Sequence, residues 1–314
     1  MKHITESYKV FLHSVAGRLR LTKYPLLRDL IAELAATLIY VAFGTGVAAQ
    51  AQLDKPSFGT SIDISFGYAA GWALGLFVAG SRSPGMCNPC VAFSNALIGR
   101  LDFLTMLLFW LAELIGSILG SLFVMAVYWE KIMNYKNTYD NGTLLMNSTG
   151  TIFASTVNTT IGSLCAGQVI TTMLKLAAIM AILDKNNWNF PYFYVIIYAT
   201  VVQFLTFNDF TVQTTSAGNP AYDLGGRMAL SMTGQTTSTT KSKSIIWVFC
   251  ALISGWGSSP FTYANHAFWV FLVMPLVGTI CGVLLYELVV GVHLPGAGED
   301  EGPSKIENGD ESDV

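Results

Sequence analysis

The sequence predicts an all-α membrane protein with six transmembrane helices and two re-entrant half-helices, arranged as two inverted repeats. Three observations lead to this prediction. Of the 314 residues, 52% are hydrophobic and only 12% are charged, whereas a soluble domain carries about 25% charged residues. Two Asn-Pro pairs, at 88–89 and 219–220, each begin a short apolar segment. The two halves of the chain also carry similar motifs in the same order.

The six predicted spans follow from length, because a helix needs about 20 apolar residues to cross a bilayer. The segments that meet this requirement are 30–51, 62–81, 103–129, 163–183, 190–208 and 266–290. They define a membrane domain at 29–294, with repeat one at about 29–130 and repeat two at about 160–294. Three spans in each repeat require the second copy to enter the membrane upside down. Inverted repeats place the functional site at their interface, near the midplane.

The half-helices are predicted at 89–99 and 220–231, between spans two and three and between spans five and six. Each covers about three turns, which is too short to cross a bilayer. Asparagine is a good helix N-cap and proline is preferred at the first helical position. Two helix starts inside a membrane bring two positive dipole ends together, which indicates a pore. The predicted pore midplane consists of Asn88, Pro89, Cys90, Asn219, Pro220 and Ala221.

Corresponding motifs support the repeat. Spans one and four each place a carboxylate or amide four residues before a hydroxyl, in Glu33-Leu-Ala-Ala-Thr37 and Gln168-Val-Ile-Thr-Thr172. Spans three and six each contain a Gly-xxx-Gly spacing, at 116–120 and 278–282. We interpret these glycines as ordinary helix-packing positions, where two backbones approach closely.

The topology follows from charge and from the sequons. Residues 1–28 lack an apolar run and are rich in lysine and arginine, so the positive-inside rule predicts a cytoplasmic N-terminal segment. Six spans then return the chain to the cytoplasm, where 295–314 form an acidic tail too polar to pack. Three glycosylation sequons, at Asn141, Asn147 and Asn158, fall between spans three and four, which this topology places outside.

Duplicated Asn-Pro half-helices within inverted three-span repeats resemble the aquaporin (major intrinsic protein) family. Within it, the chain is similar to the aquaglyceroporin branch. The segments that carry this second likeness are Phe43–Gln50, Ala181–Asn187 and Gly255–Gly257, and the branch-discriminating residues are Asp223, Arg227, Pro275 and Leu276. The resemblance implies a passive, cofactor-free channel for water and small neutral solutes such as glycerol. It also implies a homotetramer with one pore per subunit, in the lipid bilayer of a plasma membrane.

The resemblance also implies an outer selectivity filter. Counting from the two asparagines places Tyr68, Phe207, Ser216 and Tyr222 at its four positions. Tyr222 stands where the family has an arginine. This replacement removes a fixed charge and several hydrogen-bond donors from the narrowest point of the pore. We therefore expect the pore to select among small solutes differently from the rest of the family.

The family's loop-bracing carboxylates in spans one and four correspond to Glu33 and Gln168. Glu113 in span three is acidic where the family commonly has an amide. The second buried acid therefore lies in span three instead of span four. We expect these three residues to hold the re-entrant loops. Cys90 replaces a small alanine of the first motif and forms a Cys-x-x-Cys with Cys87. We interpret the pair as small residues at a half-helix start rather than as a redox motif.

Two other functions stay open. Inverted repeats with broken helices also occur in secondary transporters, but few intramembrane acids are available to bind a coupling ion. A non-conducting adhesion or scaffold protein is suggested by the bulk of Tyr68, Phe207 and Tyr222.

An enzyme is not expected, because the four histidines lie at span ends or in the N-terminal segment and form no metal cluster. The near-balanced charge, 17 basic and 20 acidic residues, argues against nucleic acid as a partner. The partner of Lys175, in span four, and the role of an apparent insertion at 235–254 are not assigned.

Overall fold

The computed structural model describes residues 2–54, 59–80, 83, 85–210, 218–233 and 256–295. Within these ranges the regular structure is helical throughout. The helices are α1 Lys2–Leu19, α2 Pro25–Leu53, α3 Ser61–Ala79, α4 Pro89–Leu97, α5 Phe103–Tyr139, α6 Ile161–Leu183, α7 Tyr192–Phe210, α8 Pro220–Met232, α9 Ser259–His266 and α10 Phe268–Val289. Single 3-10 turns follow α5 at Thr149–Ile152 and α10 at Gly291–His293.

The predicted all-α membrane fold is confirmed. Five helices (α2, α3, α5, α6 and α10) are long and apolar enough to cross a membrane. The predicted span at 190–208 forms α7, whose apolar part, Tyr192–Asn208, is shorter. Both half-helices are present: α4 has 9 residues and α8 has 13.

The ends of the spans carry ordinary capping residues. At the start of α3, Thr60 and Asp63 form a capping box, in which the Asp63 carboxylate accepts the Thr60 N–H at 2.7 Å. At the start of α5, Asp102 accepts the Thr105 N–H at 2.9 Å. Hydrogen bonds from the side chain and backbone of Thr105 hold the pKa of Asp102 below its ordinary value.

The two repeats pack in the same way. Helix α2 packs against α3 and α5, and α6 packs against α7 and α10. A Cβ added at Gly116 would lie 2.5 Å from the Leu34 carbonyl oxygen, and one added at Gly278 would lie 2.6 Å from the Val169 carbonyl oxygen. Leu34 and Val169 hold matching positions, one residue after the acid or amide predicted to brace the loops. These glycines therefore allow the first and third helices of each repeat to touch through their backbones.

Two features differ from the sequence-based expectations. Residues 2–19 form α1, a helix that was not predicted, because a search for apolar runs does not detect an amphipathic segment. Four of its exposed apolar side chains, Tyr8, Phe11, Leu12 and Val15, recur at helical spacing, and a fifth, Val10, lies outside this stripe. Helix α5 continues ten residues past the predicted span, which ended at residue 129. At 37 residues it is about 55 Å long, nearly twice the thickness of a bilayer core.

Candidate functional site

The N-termini of the two half-helices meet at the centre of the fold. The Asn88 side-chain amide donates to the Gly218 carbonyl oxygen at 2.9 Å, and the Asn219 side-chain amide donates to the Cys87 carbonyl oxygen at 2.9 Å. Each asparagine thus bonds the residue that precedes the other asparagine. All of these groups are buried. The contact joins the two repeats across their interface.

The same two asparagines cap their own helices. Asn88 Oδ1 accepts the Cys90 N–H at 2.9 Å, and Asn219 Oδ1 accepts the Tyr222 N–H at 3.2 Å. Pro89 and Pro220 occupy the first helical positions, where a proline ring fits without loss of a hydrogen bond. With the oxygen held at the cap, each amide nitrogen must point towards the opposite loop. That nitrogen carries two N–H donors, of which the contact between the loops uses one.

The residue before each asparagine has a left-handed backbone. The φ angle is 51° at Cys87 and 60° at Gly218. This conformation directs each carbonyl to the opposite asparagine. Glycine adopts it without strain, whereas a residue with a Cβ does so at a cost of about 1–2 kcal/mol. At Gly218 an added Cβ would lie 2.1 Å from the Thr172 Oγ1.

The carboxylates of α2 and α5 contact the loop that leads into α4. Glu33 accepts the Cys87 N–H and the Ser83 hydroxyl, both at 2.5 Å. Glu113 accepts the Asn88 N–H at 2.9 Å. Both carboxylates are fully buried, and Gln168, at the position in α6 that matches Glu33, is fully buried as well.

Three of the four predicted filter residues converge. The rings of Tyr68 and Phe207 stack with centroids 4.6 Å apart and an interplanar angle of 8°. The Tyr68 hydroxyl donates to the Tyr222 hydroxyl at 2.7 Å, and the Tyr222 hydroxyl lies 3.5 Å from the Ile152 carbonyl oxygen. None of the three rings is more than 4% exposed. Ser216 lies outside the described residues. We call Tyr68, Phe207 and Tyr222 the aromatic constriction.

Sequence reasoning missed a neighbour of this constriction. Tyr40 is 1% exposed, and its ring meets Tyr68 edge-on at 6.0 Å. Its hydroxyl accepts from the Gln203 side chain at 3.3 Å. Tyr40 follows Glu33 by seven residues, so the two lie on one face of α2. That spacing is the signal from which it could have been found.

Asp223 and Arg227 form a buried ion pair one turn apart in α8. Arg227 Nε lies 2.6 Å from Asp223 Oδ2, with side-chain exposures of 2% and 0%. The guanidinium also donates to the carbonyl oxygens of Ser155 and Pro260. The charge of Arg227 is therefore compensated, and its donors hold the segments before α6 and at α9 to the half-helix.

The other two residues predicted to be branch-discriminating lie in α10. Pro275 is buried inside the helix, and its carbonyl accepts the Thr279 hydroxyl at 2.9 Å. Leu276 lines an apolar cleft of about 260 Å³ together with Pro89 and Pro220. The cleft is therefore adjacent to the first turns of both half-helices.

A larger cavity, of about 680 Å³, is lined by residues of α3, α4, α6 and α7, including Trp72, Val91, Asn95 and Ile179. We call it the vestibule. The ammonium of Lys175 lies 5.5 Å from the centroid of the Trp72 ring, which gives the buried lysine a neighbour that the sequence did not reveal.

Several sequence-based predictions concern segments away from this centre. The sequon asparagines Asn141, Asn147 and Asn158 are exposed in the connection between α5 and α6. The apparent insertion at 235–254 lies outside the described residues, as does the tail beyond residue 295. Within the described part of the chain, no group of three or more His, Cys, Asp or Glu is arranged to hold a metal ion.

The half-helix junction inside a six-helix framework defines a class of membrane pore. The family profile described as Major intrinsic protein matches residues 20–286, and the chain belongs to that family. It is therefore a membrane channel for water and small solutes, and not an enzyme.

Individual relatives agree with this assignment. Aquaporin-9 of Homo sapiens is 30% identical over 278 residues, covering 87% of this chain and 86% of that protein. Aquaporin-1 of Milnesium tardigradum is 28% identical over 283 residues, covering 87% of this chain and 76% of that protein. The solved structure of the aquaglyceroporin from Plasmodium falciparum has a TM-score of 0.69 at 22% identity, covering 84% of this chain and 97% of that chain. The last likeness concerns the fold alone. The resemblance to the aquaporins and their aquaglyceroporin branch is thus confirmed.

Proposed function

We propose that the protein conducts water and small neutral solutes such as glycerol passively, through a pore whose outer filter carries Tyr222 in place of an arginine. The observation that carries this proposal is the reciprocal pair of asparagines at the half-helix junction. Their amide nitrogens offer donors to a passing oxygen, while their oxygens stay committed to the helix caps.

The chemistry of such a junction favours neutral solutes. A solute that enters loses part of its hydration and regains hydrogen bonds from the asparagine donors. Two positive helix ends raise the energy of a cation at the same place. The apolar part of the vestibule wall, which includes Val91 and Ile179, suits the carbon backbone of a polyol. Glu33, Gln168 and Glu113 would maintain this geometry by holding the loops, because irregular backbone at membrane depth needs buried partners.

The aromatic constriction then controls access to the junction. A passing molecule must separate the Tyr68 and Tyr222 hydroxyls and pass the stacked ring of Phe207. A phenol offers one donor and no charge, whereas a guanidinium offers five donors in a fork. We therefore expect weaker orientation of a polyol than an arginine filter provides.

The test is osmotic swelling of proteoliposomes that contain the full chain, with water, glycerol and urea as solutes. Tyr222→Arg should change the water-to-glycerol ratio, because it restores charge and donors. Tyr222→Phe removes only the hydroxyl and separates the effect of the hydrogen bond from that of the ring. Equal ratios in all three proteins would refute the role of Tyr222 as a filter.

The two alternatives predict different outcomes in the same proteoliposomes. The closed arrangement of Tyr68, Phe207 and Tyr222 is the observation that favours a non-conducting scaffold, and wild-type swelling no faster than in protein-free liposomes would support that function. Saturable uptake driven by an ion gradient would indicate a secondary transporter.

We further propose a plasma-membrane homotetramer with both termini in the cytoplasm. The basic residues before α2 and the exposed sequons between α5 and α6 support this orientation. Glycosidase treatment of protein from eukaryotic cells should increase gel mobility, and joint replacement of Asn141, Asn147 and Asn158 by Gln should abolish the shift. Chemical cross-linking in membranes should produce a ladder that ends at four subunits.

A further inference from the structure

Lys175 is a buried cation inside a membrane-spanning helix. Its side chain is 3% exposed, near the middle of α6. Ionisable groups at such depth are costly, and those that persist face protein or a water-filled path and mark ion or substrate pathways. The contacts described above for the half-helix junction and for the aromatic constriction involve other residues.

The surroundings of Lys175 place it beside the pore. Its ammonium packs over the Trp72 ring, 5.5 Å from the centroid, and a cation in this position is stabilised by the ring quadrupole. Trp72 lines the vestibule, and so does Ile179, which lies one turn further along α6. Lys175 therefore lies against a ring that lines the vestibule, one helical turn from a second lining residue.

Ionisable side chains near Lys175 bear on the role of its ammonium. Glu33 and Glu113 hold two carboxyl groups against the loop that leads into α4, and a carboxyl group attracts a cation whenever it is ionised. The described side chains of the aromatic constriction are uncharged. Arg227, which does carry a charge, is paired with Asp223. The Lys175 ammonium lies against Trp72, a ring that lines the vestibule.

We propose that Lys175 is a specificity-determining residue that excludes cations from the pore, in place of the arginine that the outer filter lacks. The positive charge has moved from the outer constriction to the opposite side of the half-helix junction. This inference rests on the proposed function, since exclusion has meaning only in a pore that conducts.

The experiment measures potential-driven K⁺ and H⁺ flux into proteoliposomes of the full chain, relative to glycerol swelling of the same vesicles. Lys175→Met keeps a flexible side chain of similar length but removes the charge. We expect it to raise the ratio of cation flux to swelling by at least about tenfold, because a unit charge in a low-dielectric environment strongly repels a second cation. Lys175→Arg keeps the charge and should hold the ratio within about twofold of wild type. Lys131→Met removes an exposed lysine that pairs with Asp54 and serves as the matched control.

A double variant tests the relocation of the charge directly. If the charge acts from either position, Lys175→Met with Tyr222→Arg should recover most of the lost cation exclusion. A Lys175→Met protein that swells in glycerol and stays cation-tight would overturn the inference. So would a double variant as leaky as Lys175→Met alone.

Two further outcomes separate this inference from its alternatives. If Lys175→Met and Lys175→Gln both fail to fold in detergent while Lys175→Arg folds, the lysine is a structural counter-charge and the inference is wrong. If the wild type itself conducts no solute, the proposed function fails first, whatever the variants do.

Discussion

The Arg227–Asp223 ion pair connects the second half-helix to the segments on either side of it. The guanidinium bonds the Asp223 carboxylate at 2.6 Å and the Ser155 carbonyl oxygen at 2.6 Å, donates to the Pro260 carbonyl, and packs on the Phe271 ring with its carbon 5.5 Å from the centroid. Asp223 in turn accepts the Ser155 N–H at 2.8 Å. Arg227→Met would remove all of the polar contacts of the arginine while keeping much of its apolar volume.

The expected loss can be derived from burial. Removing one partner of a buried pair leaves an uncompensated charge and costs about 3–5 kcal/mol. Two carbonyl oxygens also lose charge-assisted donors, each worth about 1.5–3 kcal/mol when both partners stay buried. Relaxation and water entry offset part of this sum, so we expect Arg227→Met to lower the free energy of unfolding by about 3–5 kcal/mol. The Asp223→Asn and Arg227→Met double variant should lose less than the sum of the single changes, because no lone charge remains.

The assay is reversible unfolding of purified protein in mixed detergent micelles, followed by tryptophan fluorescence. Arg28→Met is the matched control, since Arg28 forms an ion pair with its neighbour Asp29 at 2.9 Å while its side chain is 35% exposed. Exposed pairs contribute about 0–1 kcal/mol. A loss below about 1 kcal/mol in Arg227→Met, or strict additivity in the double variant, would refute the reasoning.

Two other predictions concern small residues in the core. Gly116→Ala should lower the free energy of unfolding by about 1–3 kcal/mol, because the added Cβ would lie 2.5 Å from a carbonyl oxygen of α2. Gly46→Ala is the control, since the nearest atom to its added Cβ is 4.0 Å away. The same assay should show no loss of stability in Gly46→Ala. A small, membrane-permeable thiol reagent should not block glycerol swelling through Cys90, which is 0% exposed at the start of α4, because a buried thiol is inert. Block that disappears in Cys90→Ala and persists in Cys87→Gly would contradict this expectation.

Local sequence signals were sufficient for the framework of this protein. Asparagine followed by proline predicted both half-helices, because the cap oxygen and the proline ring are local requirements of a helix start. Apolar runs predicted the long helices, because hydrophobic length alone meets the demand of the bilayer. Helix α1 was missed, since its apolar residues are spaced rather than consecutive.

The family resemblance predicted the residues at the centre of the pore, but only by counting positions from the two asparagines. It brought Tyr68, Phe207 and Tyr222 to one place, where the structure has them in contact. It did not predict Tyr40, whose contacts with Gln203 and Tyr68 depend on how α2, α3 and α7 pack. No rule of spacing within one helix reports such contacts between helices.

The sequence by itself determined that this chain folds as a membrane pore with two opposed half-helices, because capping and hydrophobic length act within a few neighbouring residues. Tertiary structure alone decided where the charges stand. Arg227 is engaged by Asp223, Glu33 and Glu113 face the first re-entrant loop, and Lys175 lies over Trp72 beside the vestibule. The energy of a buried charge depends on partners brought from distant parts of the chain, and this information exists only once the two repeats have packed together.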